Sequence, residues 1–115
     1  MLEMLRLLID EYNVSWIDAW NTTHRTFSCG FYNIKESQME KWPVDMFSRL
    51  LPRHMELIYM INHIFLEKVR KFFPPHEHEE RMRRMSLIEE NNPKQIRMAN
   101  LCLVICKKIV LCSEL

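Results

Sequence analysis

The pattern of apolar positions predicts a long helix in the middle of the chain. From Pro52 onward the apolar residues recur at three- and four-residue steps, at Leu57, Ile58, Ile61, Ile64, Phe65, Val69 and Phe72. This spacing gives one wide apolar stripe on a helix of 3.6 residues per turn. The opposite side is polar and carries Arg53, Glu56, Tyr59, Asn62, His63, Glu67, Arg70 and Lys71. The pattern therefore predicts a core helix with one buried apolar face (the dry face) and one solvent-exposed polar face (the wet face).

Prolines mark the boundaries of this helix and of a shorter one before it. Proline is pre-organised for the first turn of a helix, so Pro43 predicts the start of a short helix and Pro52 the start of the long one. Pro74 and Pro75 end the long helix because proline cannot continue the hydrogen-bond ladder. Residues 41–73 are thus expected to form a short helix, a break and a long helix.

Two further helices are predicted before this segment. Residues 2–12 place Leu2, Leu5, Leu8, Ile9 and Tyr12 on one side, and Asn13 ends that helix. Ser15 is a candidate N-cap, with Asp18 three residues later as the acid of a capping box. The second helix then carries Trp16, Ala19, Trp20, Thr23 and Phe27 on one face, which is typical of a core ridge.

The remaining segments are predicted to be mainly loops and extended chain. Residues 28–37 break the helical period, and residues 74–80 form a polar loop. Residues 86–90 and 95–105 are expected to be two extended stretches around a turn, although residues 98–100 suit a helix equally well. The sequence pattern of residues 105–115 is ambiguous and predicts no particular secondary structure. The fold class is therefore mostly α with a short C-terminal pair of extended segments, and the length leaves room for one small domain over residues 1–115.

Composition and charge narrow the possible partners. The hydrophobic share of 48% and the charged share of 27% are typical of a folded chain, and a net charge of +1 argues against binding to nucleic acid or membrane. The apolar stretches 101–105 and 109–112 are separated by Lys107 and Lys108 and are too short to span a bilayer. We therefore expect no nucleic-acid partner and no membrane partner.

Glycine and cysteine usage bears on whether the chain can form a phosphate-binding loop or disulfides. The chain has one glycine, Gly30, and backbone loops that cradle phosphate need several, so no such loop is expected. The four cysteines, at positions 29, 102, 106 and 112, form no CxxC pair. Buried reduced thiols in a cytosolic setting are the expected state.

Few side chains suggest a reaction. His76 and His78 would share a face only on a strand, and no second pair of metal ligands follows them. We therefore expect a solvent-exposed run of charged residues here and no metal site. Residues 83–86 match a basophilic-kinase pattern, which requires an exposed Ser86. The wet face of the long helix places Glu56, Tyr59, Asn62 and His63 on one strip, which suits a sugar but also suits an ordinary solvated face.

Several segments resemble the glycogen phosphorylase (α-1,4-glucan phosphorylase) family. They are RLLIDEYNVSWIDAW, EKWPVDMFSRLLPRHMELIYMINHIFLEKV, RMRRMSLIEE and KQIRMANLCLV. They cover most of residues 5–104 in the family's order, and the run KWPVDMF-x-x-LLPRH is highly specific. By this resemblance the chain is a piece of the N-terminal lobe of an α/β enzyme of the GT-B type. The resemblance implies phosphorolysis of glycogen or starch to glucose 1-phosphate by a cytoplasmic homodimer.

The departures from the family pattern bear on catalysis. Where the family has a loop with asparagine and then a substrate-contacting histidine, this chain has Phe31 and Tyr32. Where the family continues with Gly-Ser-His, this chain continues with ICKKIVLC in a diverged tail, residues 105–115. The resemblance places the lysine that carries pyridoxal phosphate in the C-terminal lobe, outside this chain. We therefore expect no catalytic and no cofactor-binding residues here, and a chain that is inactive alone.

The resemblance also implies a surface site that tethers the enzyme to an α-1,4-glucan. Carried over residue by residue, this site falls on Glu56, Tyr59, Asn62, Glu90 and Lys94. The alternative is a non-catalytic protein-interaction module, because a piece cut from a larger lobe leaves apolar residues such as Trp16, Trp20, Phe65 and Phe72 partly uncovered. A gene fragment without a stable product is a third possibility.

Overall fold

Helices make up most of the chain, in a computed structural model that describes residues 1–31, 40–91 and 93–111. The chain divides into two compact units. Unit 1 consists of Met1–Met39 together with Cys102–Leu115, and unit 2 consists of Glu40–Leu101. This division leaves untested the prediction that residues 1–115 are one partial domain of a larger lobe.

The N-terminal helices of unit 1 confirm the predictions from capping residues. α1 (Leu2–Arg6) continues into a wider helical turn at Leu7–Glu11. Asn13 then adopts a positive φ of 53°, a conformation that asparagine tolerates better than most residues. α2 (Trp16–Thr26) begins after Ser15, whose Oγ accepts a hydrogen bond of 3.3 Å from the backbone N–H of Asp18.

A parallel pair of strands completes unit 1 and corrects the prediction for residues 28–37. β1 (Ser28–Phe31) pairs with β5 (Lys108–Leu111), with Ser28 opposite Lys108 and Gly30 opposite Val110. The predicted loop is therefore wrong over residues 28–31, because a partner from the far end of the chain satisfies the backbone there. Residues 32–37, with Tyr32, and residues 112–115 lie outside the described part of the chain.

Unit 2 contains the predicted short helix, break and long helix of residues 41–73 and a small antiparallel sheet. Its elements are β2 (Lys41–Pro43), α3 (Val44–Leu50), α4 (Pro52–Phe72), α5 (His78–Met85), β3 (Ile88–Glu89), β4 (Gln95–Arg97) and the first half of α6 (Met98–Ile105). The strand order is β2-β4-β3, and Ile96 pairs with both Trp42 and Ile88. The short helix, break and long helix are confirmed, with Pro52 as the first residue of α4.

Three boundaries in unit 2 differ from the predictions. Pro43 closes strand β2 and the short helix begins at Val44, whose N–H donates to the carbonyl of Lys94 at 3.0 Å. The polar segment 74–80 holds a 3₁₀ turn at Pro75–Glu77 and the first turn of α5, since Glu79 and Glu80 suit a helix N-terminus. Of the predicted extended stretch 95–105, only residues 95–97 form a strand, and the rest is α6.

Most of the apolar stripe of α4 is buried, but Ile64 and Phe65 within it are only half-buried. Leu57, Ile58, Ile61 and Val69 are buried, whereas Phe72 is 81% exposed, so its prediction as a dry-face residue is wrong. Phe72 is the last residue of α4, and its ring meets Phe73 edge-on at 5.1 Å. Trp16 and Trp20 stack at 5.8 Å but are only half-buried.

Within residues 1–31, 40–91 and 93–111, no helix is both long and apolar enough to cross a membrane.

Candidate functional site

The wet face of α4 presents Glu56, Tyr59 and Asn62 on consecutive turns. Steps of three residues keep side chains on one strip of a helix. Tyr59 is 47% exposed, which leaves much of its ring open to solvent. The carboxylate of Glu56 forms an ion pair with Arg53 at 3.0 Å. The strip therefore offers an aromatic face next to polar groups.

Asn62 links α4 to the segment that leads into β3. Its Oδ1 accepts a hydrogen bond of 2.9 Å from the N–H of Leu87, and its Nδ2 donates to Ser86 Oγ at 3.3 Å. Ser86 Oγ in turn accepts from the N–H of Ile88 at 3.2 Å. The bond from Leu87 fixes the orientation of the Asn62 amide, because a backbone N–H can pair only with the amide oxygen.

Ser86 does not meet the requirement of the kinase pattern. It is only 8% exposed, and its hydroxyl bonds to Asn62 within the fold. The interpretation of residues 83–86 as a phosphorylation site requires an exposed serine, and the structure contradicts that condition.

Asn62 lines a groove of about 420 Å³, which we call the Asn62 groove. Its lining comprises Asn62, Leu66, Met82, Arg83, Arg84, Ser86, Ile88, Glu89, Glu90, Asn91 and Arg97. Of the five residues carried over from the family, Asn62 and Glu90 lie in this lining, and Lys94 is paired with Glu90 at 3.2 Å. Glu56 and Tyr59 are not part of the lining and lie on the preceding turns of α4.

Arg97 fixes one wall of the Asn62 groove, and no sequence pattern indicated its role. Its Nη1 donates to the carbonyls of Arg83 and Arg84 at 3.0 Å and of Ser86 at 3.2 Å. These carbonyls lie at the C-terminal end of α5, where backbone acceptors lack helical partners. A guanidinium suits this place because it carries several donors and favours the negative end of a helix.

Glu89 is a second groove residue that the sequence did not single out. Its Oε2 lies 2.8 Å from Lys41 Nζ, and its Oε1 accepts from Asn91 Nδ2 at 2.7 Å. The hydrogen bond from Lys41, followed by that from Asn91, lowers the pKa of Glu89 although burial opposes the shift. The groove therefore holds a fixed negative charge at neutral pH.

We expect Glu89→Gln to reduce the acid sensitivity of the fold. The pKa of the Glu89 carboxyl in the folded state is below the ordinary value of 4.5. The charged carboxylate therefore contributes fully to the free energy of unfolding above pH 4.5, and this contribution is lost as the pH falls through the folded pKa. Denaturant unfolding at about pH 6 and about pH 3 measures how much of the free energy of unfolding is lost on acidification. This loss should be smaller for Glu89→Gln than for the wild type, by up to about 1 kcal/mol. Glu90→Gln, an exposed neighbour, is the control. An equal pH dependence of the two variants would contradict the assignment.

In the part of the chain that the structure describes, no three His, Cys, Asp or Glu side chains are placed to hold a metal ion. His78 Nε2 instead lies 2.6 Å from the carbonyl of Phe73. No described lysine is buried, and no lysine lines the Asn62 groove. The described residues therefore do not fit a cofactor that is held as a lysine Schiff base.

The comparisons with known proteins cover nearly the whole chain. The carbohydrate phosphorylase family model matches residues 1–115. The chain is 42% identical over 102 residues to the liver form of glycogen phosphorylase from Homo sapiens, and 43% identical over 102 residues to the brain form from Rattus norvegicus. Each match covers 89% of this chain and 12% of the relative. The chain thus spans about an eighth of the length of these relatives.

Proposed function

Since the chain belongs to the carbohydrate phosphorylase family, we propose that it supplies the glucan-docking surface of an α-1,4-glucan phosphorylase. The observation that carries this proposal is the half-exposed ring of Tyr59, one turn from the amide of Asn62 at the rim of the Asn62 groove. The matched relatives are named glycogen phosphorylases. An α-1,4-glucan is therefore the ligand class that we assign to this surface.

The chemistry of the strip supports a sugar ligand. The apolar face of a sugar ring packs on an aromatic side chain, and its hydroxyls exchange hydrogen bonds with amide and carboxylate groups. Tyr59 provides the ring, Glu90 provides a carboxylate in the lining of the groove, and Lys94 forms an ion pair with that carboxylate. The amide oxygen of Asn62 already accepts a hydrogen bond from the N–H of Leu87. The Asn62 side chain therefore contributes mainly by holding the wall of the Asn62 groove in place. Glu56 is paired with Arg53 and is the weakest of the five candidates.

The whole enzyme would carry out the reaction of the family. We propose phosphorolysis of the glucan to glucose 1-phosphate in the cytoplasm, by a homodimer of the GT-B type with pyridoxal phosphate as cofactor. The 115 residues support docking and not the chemical step, because Tyr32 replaces the family's histidine and ICKKIVLC replaces its Gly-Ser-His segment. The described lysines also fit no Schiff-base site.

Glucan titration of Tyr59→Ala tests the docking site. Loss of the ring removes the stacking surface, so we expect binding of a soluble maltooligosaccharide to weaken about tenfold, which corresponds to about 1.4 kcal/mol. The measurement is the movement of amide resonances around Tyr59 and Asn62 during the titration. Tyr12→Ala removes another exposed tyrosine in unit 1 and should leave the affinity unchanged.

Two results would contradict the docking site. One is the absence of any resonance shift in the wild type at millimolar maltooligosaccharide. The other is an equal loss of affinity in the Tyr59→Ala and Tyr12→Ala variants, because that result would place the ligand away from α4.

A protein-interaction module is the second candidate function. Phe72 and Leu50 are large apolar residues with high exposure, and such residues favour contact with a partner surface. This candidate needs no sugar contact at Tyr59. Sedimentation velocity distinguishes the two, because a monodisperse monomer that binds glucan supports docking alone.

A further inference from the structure

The two arginines of the kinase pattern, Arg83 and Arg84, both line the Asn62 groove. They lie in the last turn of α5, and both residues are exposed. Because Ser86 is buried, phosphorylation does not account for these arginines. A neutral glucan does not require their charge either, so the charge is open to a further role at the groove.

Most charged side chains of the Asn62 groove already have a partner. The ion pairs are Arg84–Glu80 at 3.0 Å, Glu89–Lys41 at 2.8 Å and Glu90–Lys94 at 3.2 Å. Arg97 donates to backbone carbonyls at the end of α5, and its Nε lies 3.8 Å from Glu89 Oε2. Among residues 1–31, 40–91 and 93–111, the guanidinium of Arg83 forms no ion pair and no hydrogen bond.

The groove and its ion-pair partners therefore carry an excess of positive charge. The set has five basic and three acidic side chains, which are Arg83, Arg84, Arg97, Lys41 and Lys94 against Glu80, Glu89 and Glu90. Arg97 offsets the negative end of α5, because its guanidinium bonds to the carbonyls there. Arg83 is then the cation that remains available to a ligand, in a site whose net charge favours an anion.

We propose that the α-1,4-glucan docked at the Asn62 groove carries a phosphate monoester and that the guanidinium of Arg83 binds this ester, an inference that rests on the proposed docking function. A phosphate monoester has a charge of about −1.5 to −2 at pH 7, close to the excess charge of the groove, whereas a carboxylate has only one charge. The guanidinium also presents parallel N–H donors to two phosphate oxygens.

The docking surface has room for such an ester. Asn62 lies one turn from Tyr59 and lines the same groove as Arg83. The groove volume of about 420 Å³ falls in the range of small-molecule sites, about 300–1,000 Å³. A sugar on the ring of Tyr59 can thus extend a substituent into the groove. A side-chain guanidinium needs no glycine-rich backbone loop, so this phosphate contact is compatible with a chain that has one glycine.

A comparison of matched ligands tests the phosphate contact. The whole chain is titrated with a neutral maltooligosaccharide, with the same oligosaccharide bearing a phosphate at C6 of one glucose residue, and with inorganic phosphate. Amide resonances around Tyr59 and Arg83 report binding. We expect the phosphorylated oligosaccharide to bind about fivefold more tightly than the neutral one, because the contact is exposed and partly screened by water. Inorganic phosphate alone should bind more weakly than the phosphorylated oligosaccharide.

Charge-removing variants assign this gain in affinity to one residue. In Arg83→Gln the ratio of the two affinities should fall to about one. Arg81→Gln is the matched control, because Arg81 belongs to the same helix, lies over the ring of Phe73 and does not line the groove. It should keep the wild-type ratio. If a variant does not fold, the salt dependence of the wild type decides, since added salt should reduce the gain from the phosphate.

The outcomes separate this inference from the docking site itself. Equal affinity of the wild type for the neutral and phosphorylated oligosaccharides would overturn the phosphate contact and leave the docking site standing. A gain that Arg83→Gln retains, or that is independent of salt, would also overturn it. An equal gain from a carboxylate at the same C6 position, or equal affinity for inorganic phosphate, would overturn the ester as the ligand. Absence of binding of both oligosaccharides would contradict the docking site and the inference together.

Discussion

Leu57→Ala should lower the free energy of unfolding by about 3 kcal/mol, the largest effect that we expect from a single substitution in α4. The side chain of Leu57 is 0% exposed. Truncation removes its buried methyl groups and leaves a cavity that its neighbours fill only in part, and both effects act against the folded state. Because small domains have a net stability of only about 5–15 kcal/mol, this loss is a large part of the total.

Urea unfolding followed by circular dichroism measures this effect. Leu50→Ala is the control, since Leu50 is 70% exposed and lies in the helix just before α4. It should change the free energy of unfolding by less than about 0.5 kcal/mol. Similar losses for the two variants would mean that the Leu57 face of α4 is not part of the core.

Arg97→Leu should cost about 2–3 kcal/mol and loosen the end of α5. Its Nη1 group donates to three backbone carbonyls, of Arg83, Arg84 and Ser86. Removal of a charged donor leaves the part-buried carbonyl of Ser86 without this partner, which carries a desolvation cost, whereas the exposed carbonyls of Arg83 and Arg84 lose a charged donor but keep access to water. The leucine also places an apolar side chain in the wall of the Asn62 groove.

Denaturant unfolding together with hydrogen exchange measures the effect of Arg97→Leu. We expect faster exchange of the amides of α5 and of residues 86–88 and unchanged exchange in α2. Arg84→Leu is the matched control, because Arg84 is exposed and forms an ion pair with Glu80 at 3.0 Å. Such an exposed pair contributes about 0–1 kcal/mol. If Arg84→Leu proves as destabilising as Arg97→Leu, the carbonyl contacts are not the source of the stability.

The sequence predicted the helices better than the strands, and the reason is physical. Apolar spacing and capping are local signals, so α4 begins at Pro52 and Ser15 caps α2 as predicted. Strand β1 owes its structure to β5, whose residues lie at the other end of the chain. No local pattern reports such a partner. The same limitation applies to α6, where a run of apolar residues suits either a buried strand or a buried helix.

The candidate site was predictable only in part. Spacing alone placed Tyr59 and Asn62 on one strip of α4, and the structure has them there. The roles of Arg97 and Glu89 were invisible, because both depend on contacts with residues from other elements. The burial of Ser86 was likewise hidden, because the partner of its buried hydroxyl, Asn62, is distant in sequence. Side-chain partners across elements are thus the part that sequence patterns miss.

The pairing of β1 with β5 has a consequence for the order of folding. Unit 2 is one continuous stretch, Glu40–Leu101, whereas unit 1 combines both ends of the chain. Closing a long loop costs entropy that is recovered only when the distant strands meet, so contacts of this kind form slowly. During synthesis on the ribosome, β1 emerges early and stays without its partner until residue 111 has been made. Unit 2 therefore has the opportunity to fold before the parallel pair of β1 and β5 is assembled.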